Sequence, residues 1–253
     1  LRQRKLFPLF VRTGYNPAMN MMDANSPANL AGLEIFHGLA SAVLEDVRAA
    51  ARFRHLPRNT RIFNQGDGRV RAHALIDGCV RIAQSGSDGA QVVVRFIVRG
   101  EMFGTVALFT DGFYPADADA LTDVSEVSWS EADLASLMER HHQISVNFIR
   151  IIGKRLQEAQ NRVRELATQR VERRIAHALL RLARRAGRRT AEGITIEFPL
   201  RRKDIADICG TTLHSASRIL TPWEKAGWLV TRDQRLTICK MSEIEEIAED
   251  GTA

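Results

Sequence analysis

Between Arg202 and Arg235 the chain gathers side chains that suit a polyanion and the flat edges of nucleobases. His214, Ser217 and Arg218 stand at positions i, i+3 and i+4, so a helix through them turns all three to one side. A guanidinium there pairs with the O6/N7 edge of guanine or with a phosphate. A serine hydroxyl reaches a base edge or the backbone, and a neutral histidine both donates and accepts. Around the trio lie Arg202, Thr212, Ser215, Arg232 and Arg235, residue types that bind phosphate oxygens. The trio is expected to touch base edges, and the flanking five the backbone, of double-stranded DNA.

Other reactive side chains are scattered. Cys79, Cys209 and Cys239 lie far apart with no CxxC pair, which argues against a zinc site or a disulfide framework. Cys209 adjoins Gly210 beside the base-reading segment, so its oxidation is a candidate redox switch. A packed core thiol is the plainer alternative. His37, His55, His73, His141 and His142 precede that segment with no ligand spacing that would name a metal. No nucleotide-binding loop or nucleophile constellation is recognisable, and Gly86-Ser87 lacks the flanks of a nucleophile elbow. An enzyme is therefore not expected.

Holding the trio in place requires a helix pair. Leu200 to Cys209 reads as a helix, and Gly210 breaks it. Thr211 or Thr212 can cap a second helix from Leu213 to Ala226, with Ala216, Ile219, Leu220 and Trp223 on its inner face and Gly227 at its end. Trp228 to Thr231 and Arg235 to Lys240, joined around Arg232-Asp233-Gln234, read as a β-hairpin, hence a wing. Upstream lie a short strand at Ile194 to Phe198, the basic loop Arg188-Arg189, and a helix from Val171 to Arg185.

A longer helix is predicted over Ile144 to Thr168. Ile144, Phe148, Ile152, Leu156, Val163 and Leu166 recur three, four or seven apart, with Ala159 filling the gap. That stripe predicts dimerisation through Ile144, Phe148, Ile152, Leu156 and Val163. A helix lying on its own domain is the alternative. From Phe53 to Val98, short Val-, Ile- and Phe-rich segments alternate with glycine turns, as in a β-barrel or sandwich. The expected organisation is an extension at 1–29, a β-domain at 30–142, a dimerisation helix at 143–169 and a winged helix at 170–253.

The net charge of +6 favours polyanionic partners, and arginines gather between Arg150 and Arg202. An acidic run from Glu243 to Asp250 follows. No apolar run is long enough for a bilayer, and no signal-peptide core follows the basic first residues. A cytoplasmic protein without a membrane partner is expected.

The signature Arg202-Lys203-Asp204-Ile205-Ala206, Gly210-Thr211-Thr212-Leu213-His214, Ser217-Arg218-Ile219-Leu220 and Trp223-Glu224-Lys225-Ala226-Gly227 closely resembles the DNA-binding segment of the CRP/FNR regulator superfamily. Upstream, Ile62 to Asp67, Leu75 to Arg81 and Gly100-Glu101-Met102-Phe103-Gly104 resemble the turns and strands of its effector domain. The resemblance covers nearly all of the chain after about Glu34. It implies an α+β fold: an N-terminal cyclic-nucleotide-binding-like β-roll, a long dimerisation helix and a C-terminal winged helix-turn-helix. It implies a homodimer on a pseudo-palindromic site, and RNA polymerase as a further partner. Gly112 to Ala116, Arg164 to Thr168 and Thr211 to His214 look most like the nitric-oxide and denitrification regulators, which makes haem a candidate cofactor.

Two departures from the family carry weight. Cyclic-AMP-binding relatives grip the phosphate with an arginine and a serine or threonine, where this chain has Tyr114 and Pro115, with Asp117 and Asp119 adding negative charge. Cyclic AMP is therefore not expected as effector. No cysteine precedes Cys79, so an iron–sulfur cluster is not expected either. The alternatives are a regulator already competent without ligand, controlled by abundance or cysteine oxidation, and a cyclic-nucleotide module acting through protein contacts. Many relatives also carry glutamate at His214, so the target is expected to differ at one base pair.

Overall fold

A computed structural model describes residues 27–249 apart from 88 and 90. The expected extension at 1–29 falls almost wholly outside the described residues. The chain divides into two compact units after Gln169.

The first unit opens with α1 (Pro27–Ala31), a 3-10 turn at Glu34–Phe36 and α2 (Ser41–Ala49). Eight strands follow: β1 (Arg52–Leu56), β2 (Arg61–Phe63), β3 (Arg71–Asp77), β4 (Cys79–Ser85), β5 (Gln91–Val98), β6 (Met102–Phe103), β7 (Asp117–Ala120) and β8 (Val124–Ser130). They form two antiparallel sheets of four, in the orders β1-β8-β3-β6 and β2-β7-β4-β5. Phe63, Leu75, Val80, Ile97 and Phe103 fill one core of this β-roll. A second core joins the first sheet to helices through Phe36, Trp129, Leu134 and Leu137. There Phe36 meets Trp129 edge-on at 5.0 Å, and Trp129 Nε1 donates to Val47 O at 3.0 Å.

After α3 (Glu131–Arg140) comes α4 (His142–Thr168), which has two apolar faces. Ile144, Phe148 and Ile151 are buried in the core of their own unit. Asn147 Nδ2 pins the same face by donating to Ile35 O and His37 O, both at 2.9 Å. Ile149, Ile152, Leu156, Val163 and Leu166 are exposed, by 69%, 40%, 58%, 66% and 42%. Ile144 and Phe148, expected on the dimer stripe, instead face inward at 0% and 7% exposure. The exposed stripe runs Ile149, Ile152, Leu156, Ala159, Val163, Leu166, alternating steps of three and four.

The second unit contains α5 (Val171–Ala186), β9 (Gly187–Thr190), β10 (Gly193–Ile196), α6 (Arg202–Ile208), α7 (Leu213–Lys225), β11 (Leu229–Arg232), β12 (Arg235–Ile238) and α8 (Met241–Glu249). Its four strands form one antiparallel sheet, β11-β12-β10-β9. The basic loop expected at Arg188-Arg189 is a strand, with Arg188 paired to Thr195 and Arg189 to Ile194. The acidic run is amphipathic: α8 buries Ile244 and Ala248, and Arg173 Nε donates to Ala248 O at 2.7 Å. No helix among the described residues is long and apolar enough to cross a membrane.

Candidate DNA interface and effector pocket

The helix pair α6–α7 is held by small and apolar contacts. Ala206 on α6 and Ala216 on α7 are fully buried, with Leu220 and Trp223 beside them. Small side chains let the two backbones approach. Between the helices Gly210 adopts φ +60°, a left-handed turn that suits glycine. Thr211 N donates to Ala206 O at 3.0 Å and closes the turn. Thr212 caps α7, its hydroxyl accepting from Ser215 N at 3.1 Å. Asp204, itself buried, accepts from Arg201 N at 2.9 Å at the start of α6.

The outer face of α7 carries the expected trio. His214 and Arg218 are exposed and Ser217 is half-buried. Among the described residues, no ion pair or side-chain hydrogen bond occupies His214 or Arg218. All three belong to the first half of a helix whose opposite side is core, the geometry by which a recognition helix presents side chains to a major groove.

The flanking residues divide. Thr212 and Ser215 share the helix cap, with Thr212 Oγ1 also donating to Ser215 Oγ at 3.1 Å. Arg202 is half-buried: Nη1 donates to Thr221 Oγ1 at 2.9 Å and Nη2 to Glu224 Oε2 at 2.5 Å. Glu224 Oε1 in turn accepts from Thr231 Oγ1 at 3.1 Å. Arg202 thus braces α6, α7 and the wing, where the sequence suggested only a phosphate contact. The β11–β12 turn is tight: Asp233 and Gln234 have φ +49° and +61°, the pattern of a two-residue type I′ hairpin. Arg232 and Arg235 face each other across it and are exposed. Arg232 Nη1 lies 2.5 Å from Glu192 Oε1. That exposed pair adds little stability. Cys209 is 2% exposed, with its thiol 3.7 Å from Arg174 O.

In the β-roll, Tyr114 occupies the position that the resemblance gives to a phosphate-gripping arginine. Its ring is buried and stacks on Phe63 at 3.7 Å. Its hydroxyl accepts from Arg71 N at 2.7 Å and lies 3.0 Å from His73 Nε2. Burial pushes the Tyr114 phenol up, so it stays protonated. A neutral phenol committed in this way offers no cation to a cyclic phosphate. Asp117 and Asp119 prove to be neutralised: Arg61 reaches both at 2.7 and 2.5 Å, and Arg81 reaches Asp119 at 3.0 Å. Glu101 lies 3.3 Å from Arg95 Nη2.

The histidines do not converge. His73 is buried with both ring nitrogens engaged, Nδ1 at 3.2 Å from Glu126 Oε2 and Nε2 at Tyr114. His55 lies 3.2 Å from Ser125 Oγ and His141 3.2 Å from Asp46 Oδ2. His37 and His142 are exposed. Iron ligation through His73 Nε2 would displace its contact with Tyr114, while Nδ1 could stay on Glu126. Among the described residues no group of three or more His, Cys, Asp or Glu side chains could hold a metal ion. The Glu126–His73–Tyr114 chain had no sequence signal, since its members are far apart in order.

The chain is similar to known proteins in both units. The family model of the cyclic nucleotide-binding domain matches residues 53–141, and that of the Crp-like helix-turn-helix domain matches residues 173–247. A CRP-like cAMP-activated global transcriptional regulator of Mycobacterium tuberculosis is 26% identical over 79% of this chain and 89% of that protein. The nitrogen fixation regulation protein FixK of Rhizobium meliloti is 28% identical over 85% of this chain and 93% of that protein. The solved structure of FixK2 from Bradyrhizobium japonicum has a TM-score of 0.69 at 22% identity, covering 80% of this chain and 98% of that one.

Proposed function

The chain belongs to the CRP/FNR-like DNA-binding transcription regulators, and from that premise we propose that it acts as a homodimer on a pseudo-palindromic site and answers to a signal other than cyclic AMP. The observation that carries the reading is the open outer face of α7, where His214 and Arg218 have no hydrogen-bond or ion-pair partner among the described residues, beside half-buried Ser217. A homodimer paired through the exposed α4 stripe would carry two such faces, one for each half-site. Arg235 and the wing supply phosphate contacts, and RNA polymerase is the further partner of such a complex. This work belongs to the cytoplasm.

Tyr114 supports the choice of signal, because a stacked phenol replaces the cation a cyclic phosphate needs. The finer form of the reading is a nitric-oxide response through haem. Its support is the likeness of Gly112 to Ala116 and Thr211 to His214 to the denitrification regulators, and the engaged state of His73 stands against it. A Soret band in protein purified without oxygen tests it directly. Cys209 oxidation as a control is disfavoured by its burial.

Fluorescence anisotropy with labelled duplexes tests the DNA reading. Specific binding should persist at about 200 mM salt, where non-specific binding collapses. Arg218→Ala should weaken specific binding by about 1–3 kcal/mol and relax preference at one position of each half-site. Specific affinity equal to wild type in Arg218→Ala would sink the assignment.

A further inference from the structure

The β-roll carries a second feature that the DNA reading leaves unused. On β1, Arg52 and Arg54 are two apart and point to the same side of the sheet. On β3, Arg71 and His73 do the same. The register sets these pairs beside each other: Ser128 of β8 lies between Arg52 and His73, and Glu126 lies beside Arg54. Arg69, in the loop before β3, closes the group. Together they line a cavity of about 400 Å³, within the size range of small-ligand sites.

Charge in this cavity is uneven. Four guanidiniums face two carboxylates, Asp67 at the rim and Glu126 behind His73. Glu126 already takes Arg54 Nε at 2.6 Å. Arg71 is positioned by Ser128, with Nε donating to Oγ at 3.0 Å and Nη2 to the carbonyl at 2.9 Å. Asp67 accepts from Asn64 N at 2.8 Å and from Asn64 Nδ2 at 3.1 Å. The Arg52 and Arg69 side chains have no hydrogen bond or ion pair among the described residues. Gathering like charges around a concave site is unfavourable until an anion fills it. Arginine forks match a phosphate through paired N–H groups. Ile62 and the stacked Phe63–Tyr114 pair add an apolar wall.

We propose that this cavity binds a small phosphate monoester, its phosphate between Arg52, Arg69 and Arg71 and a compact ring portion against Ile62 and Phe63. The cavity shares Tyr114 with the loop where relatives grip a cyclic phosphate, but its cations come from β1, β3 and the loop before β3, and the proposal stands whether or not the DNA reading does. A monoester or pyrophosphate carries more charge than a cyclic diester, so the site should prefer the former.

Titration calorimetry on the full chain tests this, with AMP, inorganic pyrophosphate and cyclic AMP as separate probes. AMP and pyrophosphate should bind once per chain, at least tenfold more tightly than cyclic AMP, and more weakly as salt rises. Arg52→Gln with Arg69→Gln should lose at least tenfold in AMP affinity while keeping wild-type DNA affinity. Arg218→Ala should bind AMP as the wild type does. A thermal shift of the unaltered chain gives a second readout: pyrophosphate should raise its melting temperature with concentration. Absence of AMP and pyrophosphate binding at millimolar concentration overturns the proposal. Loss of AMP binding in Arg218→Ala, with none in the arginine pair, assigns the anion to the DNA-binding face and overturns it too. Tighter binding of a polyglutamate peptide than of AMP, abolished by the same pair, overturns it in favour of an acidic protein partner.

Discussion

Glu126 sits at 1% exposure between His73 and Arg54. Burial alone would push its carboxyl up, but the His73 and Arg54 interactions outweigh that and hold it below the usual carboxylate range. A lowered carboxyl contributes stability that is present above its unfolded pKa, about 4.3, and is lost as pH falls through the folded value. Glu126→Gln should therefore lower stability at neutral pH, by roughly 3 kcal/mol for one half of a buried pair. It should also flatten the acid limb below about pH 4. Urea midpoints for both proteins across that range decide it, and parallel acid limbs would remove the assignment. On α7, His214→Glu should move preference toward a cytosine–guanine pair at one half-site position. A binding series with every base at each position reads this out. The outward placement of His214 and Arg218 on α7 was legible in the sequence because exposure there follows helical spacing. The Glu126–His73 contact was not, because its partners are 53 positions apart and only strand register brings them together.

At the scale of elements, α4 shows where periodicity ran short. Its existence and length were readable, but two apolar faces overlap within a few positions. Ile144, Phe148 and Ile151 follow one row inward, while Ile149, Ile152 and Leu156 follow another outward. A list of apolar spacings cannot separate rows that share a helix until a neighbouring sheet claims one of them. The two rows predict different outcomes. Leu156→Lys should shift the chain toward monomer in analytical ultracentrifugation with little change in the melting of the β-roll. Phe148→Ala should destabilise that unit by about 3–5 kcal/mol. If Leu156→Lys sediments as wild type does, the stripe is not the interface. In the second unit, β9 was hidden because Arg188 and Arg189 have no apolar alternation, and α8 because its two buried positions stand among acids. Both elements are supported by tertiary contacts rather than by local pattern.

For the whole molecule, a net charge of +6 predicts strong salt dependence of DNA affinity. Arg235→Ala should reduce the slope of log affinity against log salt by about 1, with base preference unchanged. An unaltered slope would take Arg235 off the phosphate backbone. The two-unit plan was readable because motif order survives where individual residues drift, as Tyr114 does. The uncovered apolar row on α4 has a further consequence. If pairing through that row is weak, occupancy of a two-copy operator rises with the square of the chain's concentration at low abundance. Rates of synthesis and proteolysis then become inputs to the switch, and halving the supply of chain silences a promoter about fourfold in that regime.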